Sequence, residues 1–158
     1  MILDERNEFA DAASVAAAAG TALIGDVIDL GAAHRDIGQG QPVYLVITTD
    51  TEIITGGSAG TIKFQLASDA QAAIATDGSA TVHIDTGTFV TDDSAANDAQ
   101  MNAGGTIFCG PLPIEGKVYE RYLGILAVIA TTTVTAGKIN AFLTLDPTGW
   151  DAYAEGAN

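Results

Sequence analysis

The sequence predicts an all-β protein, an antiparallel β-sandwich of jelly-roll type. Three observations carry this expectation: apolar alternation of period two in several short segments, glycine-rich turns between them, and no alternation of strand with helix patterns. The chain has 158 residues, of which 18 are Gly, with 16% charged and only 6% aromatic. That composition suits many short strands around a core of Ala and small aliphatics. The length fits one domain able to bury a real core. Its expected parts are an arm at 1–12, a sandwich at about 13–146 and a tail at 147–158.

The N-terminal arm is polar but carries Ile2, Leu3 and Phe9, which have no periodic apolar partner nearby. Termini order only when tied down, so these three are candidate partner contacts, with a disordered leader or packing on the chain's own domain as alternatives. Ala12 to Ala19 is ambiguous, because alanine favours helix while Gly20 and Thr21 leave it little room. Val27–Leu30 reads as a short strand, and Gly31–Gln41 as a loop holding Arg35-Asp36. Pro42 opens a strand at Val43–Thr49. Gly56–Gly60 is a flexible tip, after which Thr61–Ala67 alternates with Ile62, Phe64 and Leu66 inward and Lys63 and Gln65 outward.

Asp69–Ser79 is an Ala-rich loop with an Asp77-Gly78 turn. Thr81–Asp85 is expected to turn Val82 and Ile84 inward and His83 outward, with Phe89-Val90 continuing past Gly87. The polar stretch Asp92–Gly105 reads as an exposed loop. Thr106–Cys109 is a short strand in which the single cysteine is expected to be a small buried hydrophobe. Pro111–Gly116 is a rigid approach to the strongest pattern of all. There, Tyr122–Ala130 is apolar on both faces, Thr131–Thr135 is β-branched, and Ile139–Leu145 alternates cleanly. Ala136-Gly137 offers turn chemistry, so the expectation is an antiparallel hairpin at the centre of the core. A helix over Tyr119–Ala130 is the competing reading. Two covers are needed for Leu123–Ile129: the second sheet, and an arm, loop or neighbouring subunit. Past Asp146 the tail holds Trp150 and Tyr153, two large aromatics outside any strand and further candidate partner contacts.

Six basic against twenty acidic residues give a net charge of −14. Binding of bare nucleic acid needs a positive face, so nucleic acid is not an expected partner. A lone Cys109 excludes an intrachain disulfide. No basic segment followed by an apolar one opens the chain, and the longest apolar run falls far short of ~18 residues, so neither a secretory signal nor a membrane partner is expected.

Chemistry is expected to be absent. His34 and His83 have no metal-ligand spacing to a Cys, carboxylate or second His. Asp92–Asp98 is only loosely like a calcium loop, without the central glycine and closing glutamate, and a solvated loop is the stronger reading. No nucleophile elbow, phosphate-binding loop or dinucleotide fingerprint occurs, and no carboxylate pair lies in an aromatic-lined stretch. Neither a catalytic site, a metal nor a cofactor is expected.

Several segments, in chain order, carry a resemblance: Met1-Ile-Leu-Asp4, Phe9-Ala-Asp11-Ala12, Val27-Ile-Asp-Leu-Gly31, Arg35-Asp-Ile-Gly38 and Gly40-Gln-Pro-Val-Tyr-Leu-Val46. It continues in Phe64-Gln-Leu-Ala-Ser-Asp69, Leu112-Pro113, Glu120-Arg-Tyr-Leu123 and Thr135-Ala-Gly137. In these the chain resembles the jelly-roll capsid cement, or decoration, proteins of short-tailed phages. The resemblance implies a structural virion protein on the capsid exterior, assembled in the host cytoplasm, that cements neighbouring subunits of the major capsid protein. Two features depart from that pattern: Asp92–Gly105 is long for a compact member, and Gly124 stands where a larger side chain is expected. Self-association, as a homodimer or other homo-oligomer, is expected from the over-apolar strand and the usual frequency of two-fold contacts. A β-sandwich binding module for a carbohydrate or cell-surface ligand is the alternative function.

Overall fold

Period-two alternation sets the strands, and where they pair decides the architecture. The computed structural model describes residues 5–32, 37–38, 40–56, 60–92 and 97–147. Among these, the strands are β1 (Glu8–Ser14), β2 (Gly20–Asp29), β3 (Tyr44–Thr55), β4 (Gly60–Asp69) and β5 (Thr81–Asp85), followed by β6 (Phe89–Thr91), β7 (Thr106–Pro111), β8 (Tyr122–Ala130) and β9 (Val134–Thr144). One sheet has the order β1-β9-β3-β7, and the other β2-β8-β4-β5 with β6 also on β4. Every strand pair is antiparallel. If β5 and β6 are taken as two halves of one edge, the order is that of a jelly roll, and the expected fold class holds.

The core lies between the inner faces. Leu45, Ile47 and Ile53 of β3 and Ile139, Ala141 and Leu143 of β9 meet Ile62, Phe64 and Leu66 of β4 and Leu123, Ile125, Ala127 and Ile129 of β8. Each of the larger side chains contributes about 1.5–3 kcal/mol on burial, so an aliphatic core holds the sandwich without many aromatics. The Ile62, Phe64, Leu66 alternation is as the sequence predicts.

The central hairpin does not exist. β8 and β9 are consecutive in the chain but belong to opposite sheets, and the intervening residues 131–133 cross the end of the sandwich. β8 pairs with β2 and β4, while β9 pairs with β1 and β3. Period-two patterning marks strands without naming their partners, and a short connection favours a hairpin only where the two strands share a sheet. Ala136-Gly137 is accordingly not a turn but lies within β9, at a φ of 138° for Gly137. A Cβ there would stand 2.7 Å from Ile53 Cγ1 and 2.8 Å from Ile53 Cα, so the glycine serves close strand approach.

The second cover for β8 comes from the chain itself. On the outer face of its sheet Leu126, Ala67 and Ile74 form a smaller apolar cluster with Leu23, Val27, Ala80 and Val82. Ile74 belongs to the loop 70–80, which the Asp69 carboxylate pins by accepting from Gln71 N at 3.1 Å and Ala75 N at 3.0 Å. Gly124 is explained by the same cluster: Ile74 Cδ1, Leu23 Cδ1 and Val27 Cγ1 fill the space a larger side chain would take.

Other expectations are corrected. Residues 8–12, assigned to the arm, are part of β1, and Ala12–Ala19 forms bulged strand and an Ala17–Val134 bridge rather than helix. The strand beginning near Val27 starts at Gly20, and β3 runs on to Thr55. Val82 and Ile84 do not both face inward. The pairings Leu66–Ile84 and Ala67–Val82 skip His83, and this bulge sends Ile84 to the core and Val82 to the outer cluster. Cys109 is exposed on the edge strand β7. The Asp92–Gly105 stretch is docked over 97–105, where Met101 is fully buried and Thr49 Oγ1 donates to Gln100 O at 2.6 Å. No helix among the described residues is long and apolar enough to cross a membrane.

Candidate functional site

Because the chain changes sheet at most turns, its connections gather at the two ends of the sandwich. One end receives residues 30–32, 37–38 and 40–43, 70–80 and 112–121, together with the start of β1 and the end of β9. Three large hydrophobic side chains are exposed among the described residues, and all three belong to this end. They are Ile114 at 61%, Val118 at 79% and Leu145 at 56% of full exposure. Leu145 directly follows Thr144, which pairs with Tyr44 at the start of β3, and Tyr44 pairs in turn with Pro111 at the end of β7.

Proline builds the surface. Pro42, Pro111 and Pro113 fix φ and present no N–H, so the backbone here is stiff and mostly apolar. With Gly38, Leu112, Ile114 and Glu115 they line an open groove of about 460 Å³. Leu112 N donates to Val43 O at 2.8 Å and locks the two walls together. Ile114 Cγ2 closes against Gly38, lying 3.4 Å from where a Cβ would be.

The loop 112–121 is anchored along its length. Tyr119 is buried and donates its hydroxyl to Pro113 O at 2.9 Å, and burial pushes its phenol up to about 12. Its ring stacks on His83 with centroids 4.0 Å apart. Glu120 N donates to Ser68 Oγ at 3.0 Å, and Thr81 Oγ1 donates to the Glu120 carboxylate at 2.9 Å. Arg121 makes a two-pronged pair with Asp29 at 2.9 and 2.7 Å and lies over the Tyr122 ring. The Arg121 bonds, with the Gly31 N–H, hold the Asp29 carboxyl down to about 2. Hydrophobic side chains are thus displayed on a pinned loop and not on a slack one.

The residues expected to contact a partner divide differently. Phe9 is spent on its own domain: at 1% exposure it is a core side chain of β1, because the strand begins one residue before it. Ile2, Leu3, Trp150 and Tyr153 lie outside the described residues. His34 and residues 93–96 of the acidic segment Asp92–Asp98 do too, while the Asp98 carboxylate accepts from Val90 N at 2.6 Å. His83 is not an outward surface residue but partly buried against Tyr119, with burial and then Lys117 lowering its pKa against Glu120. Among the described residues, no group of three His, Cys, Asp or Glu stands close enough to hold a metal ion. Ile114 and Val118 were not singled out by sequence reasoning, and Leu145 was read as sharing a strand face with Ile139, Ala141 and Leu143, whereas β9 ends at Thr144 and leaves it exposed. Their signal was available: isolated aliphatics at Ile114 and Val118 flank Glu-Gly-Lys in a proline-framed loop, where no strand alternation can bury them.

Fold and end together define a jelly-roll protein with a rigid, loop-built apolar surface at one end of an acidic sandwich. The chain belongs to the Bbp16 family, whose model matches residues 9–143, from within β1 to within β9. Comparison with curated proteins returns no match.

Proposed function

We propose that this chain is a structural virion protein that binds the outside of a phage capsid shell and cements neighbouring major capsid protein subunits. The observation that carries the reading is the apolar end: exposed Ile114 and Val118 on a loop held by several bonds, with exposed Leu145 after β9 and a proline-lined groove at the same end. Exposed apolar patches on pinned loops suit docking, since little conformational entropy is lost on contact. Family membership and the resemblance to capsid cement proteins agree with a structural role on the virion exterior. In this reading the protein is not an enzyme. The major capsid protein is its main partner, and self-association supports the same assembly.

The test is co-sedimentation with purified capsids lacking the protein. Ile114→Asp combined with Val118→Asp should abolish co-sedimentation while the variant melts at the wild-type temperature, because both side chains are exposed. Full binding by the double variant would remove the apolar end from the proposal. Failure of the wild-type protein to sediment with capsids, with capture on a glycan array instead, would overturn the cement reading itself.

A further inference from the structure

His83 is the residue that the β4–β5 pairing skips, and the bulge aims its ring at the loop 112–121. Its Nε2 lies 2.8 Å from Ser68 Oγ, and Ser68 is fully buried. The same Oγ accepts the Glu120 N–H. Ser68 Oγ has one hydrogen and two lone pairs, of which Glu120 N–H takes one; the neutral imidazole with Nε2 unprotonated is the form that leaves the buried Ser68 hydrogen paired. The other face of the anchor is the stack, 4.0 Å and 22° from parallel, on Tyr119, whose hydroxyl closes the loop onto Pro113. One imidazole therefore holds both the Tyr119 ring and, through Ser68, the Glu120 amide.

We propose that protonation of His83 releases the loop 112–121 from β4 and β5, so that the apolar end of the sandwich is fixed at neutral pH and loosened in mild acid. A protonated Nε2 turns from acceptor to donor, and the Ser68 hydrogen then loses its acceptor inside a buried site. Two charged groups of the loop face the ring in opposite senses. Lys117 repels the imidazolium and the Glu120 carboxylate attracts it, but that carboxylate is engaged by Thr81. Tyr119 stays neutral throughout. Burial and Lys117 prevail, and the folded-state pKa lies below the ordinary imidazole value.

The sign follows from linkage. A detached loop leaves His83 free to bind a proton more readily than the anchored one does, so anchoring is complete above about pH 6.5 and is lost as pH falls through the lower, folded-state value. The switch itself is independent of what docks on the loop; only its consequence for attachment rests on the cement reading.

The experiment is hydrogen exchange of the Glu120 amide in the intact protein between about pH 7.5 and about pH 5, corrected for the intrinsic pH dependence of exchange. Protection in the wild-type protein should fall at least about tenfold over that range, while β3 and β9 amides stay protected. His83→Gln keeps an acceptor for Ser68 and a planar group for Tyr119 but cannot titrate, and its protection should stay flat. His34→Gln should retain the fall. Wild-type protection that does not change with pH, or a parallel fall in His83→Gln, would overturn the proposal. Should His83→Gln fail to fold, the wild-type imidazole titration decides. A His83 midpoint below about 6.5 that coincides with the loss of Glu120 protection supports the switch, and a midpoint above it, or one separate from the exchange, refutes it.

Discussion

Gly124 and Ile74 should be energetically coupled, and the size of the coupling can be worked from the outer cluster. A methyl at Gly124 would sit 2.7 Å from Ile74 Cδ1, 3.0 Å from Leu23 Cδ1 and 3.3 Å from Val27 Cγ1. Overpacking of this kind costs about 2 kcal/mol. Restriction of the unfolded chain by alanine offsets about 0.4–1 kcal/mol, leaving Gly124→Ala about 1–1.5 kcal/mol less stable. Ile74→Ala should cost about 2 kcal/mol, the low end for a buried isoleucine, because the loop 70–80 can settle onto the gap. In the double variant the nearest clash is gone, although Leu23 and Val27 remain. Its loss should fall short of the sum by about 1 kcal/mol. For a chain of this size that is a difference of about 2–4 °C in Tm, readable by calorimetry or urea titration. Additivity within about 0.3 kcal/mol would refute the idea that Ile74 is what excludes a side chain at position 124.

Ile125→Asp should prevent folding, because it places a carboxylate between the sheets, whereas Leu126→Asp should leave a folded but weaker protein since a loop rather than a sheet covers it. Circular-dichroism melts distinguish the two, and equal behaviour would contradict the assignment of these neighbours to opposite faces. Cys109 should react with a maleimide under native conditions at the rate of an exposed thiol; strong protection would mean that the edge of β7 is covered in solution. The Asp29–Arg121 pair should stabilise the loop end above the ordinary carboxylate range and fade as pH falls toward about 2, because there the unfolded chain binds the proton first. Both partners are well exposed, so Asp29→Asn should change the acid limb of stability slightly and less still in high salt. An unchanged acid limb would show that the pair contributes nothing.

Strand existence was legible wherever one face is buried and alternation is clean. Thr61–Ala67 and Tyr122–Ala130 are the examples, and the doubly apolar character of the latter correctly demanded a second cover. Strand partners were not legible, because the residues 131–133 look alike whether they fold a hairpin or cross between sheets. Bulges hid further detail. His83 shifts the phase of β5 by one residue, so a strict period of two puts Val82 on the wrong face. Cys109 was misplaced for the same reason: the pairings Ile47–Phe108 and Thr48–Thr106 skip Ile107, so Ile107 is buried while Cys109, two residues on and opposite Val46, is exposed. The polar segment ending in Gly105 concealed Met101, its one large apolar residue, which carries no periodicity yet is fully buried.

The apolar end was the least legible part, and topology explains why it matters. A jelly roll returns the chain to each end repeatedly, but the two ends are furnished unequally. Residues 131–133 suffice to cross from β8 to β9 at one end, while the crossing from β7 to β8 at the other takes residues 112–121. That connection runs from the edge strand β7 to β8, an inner strand of the other sheet, and it is held by Ser68, Thr81, His83 and Asp29 and displays Ile114 and Val118. Charge sharpens the contrast. At −14 the sandwich repels other copies of itself over long range. Short-range apolar contact at one end is not weakened when salt shortens the Debye length from ~10 Å at 0.1 M to ~3 Å at 1 M, whereas repulsion and acid–base attraction both are. An attachment made through this end should therefore hold or tighten as salt rises, and steep release between low and moderate salt would place the contact on the acidic faces instead.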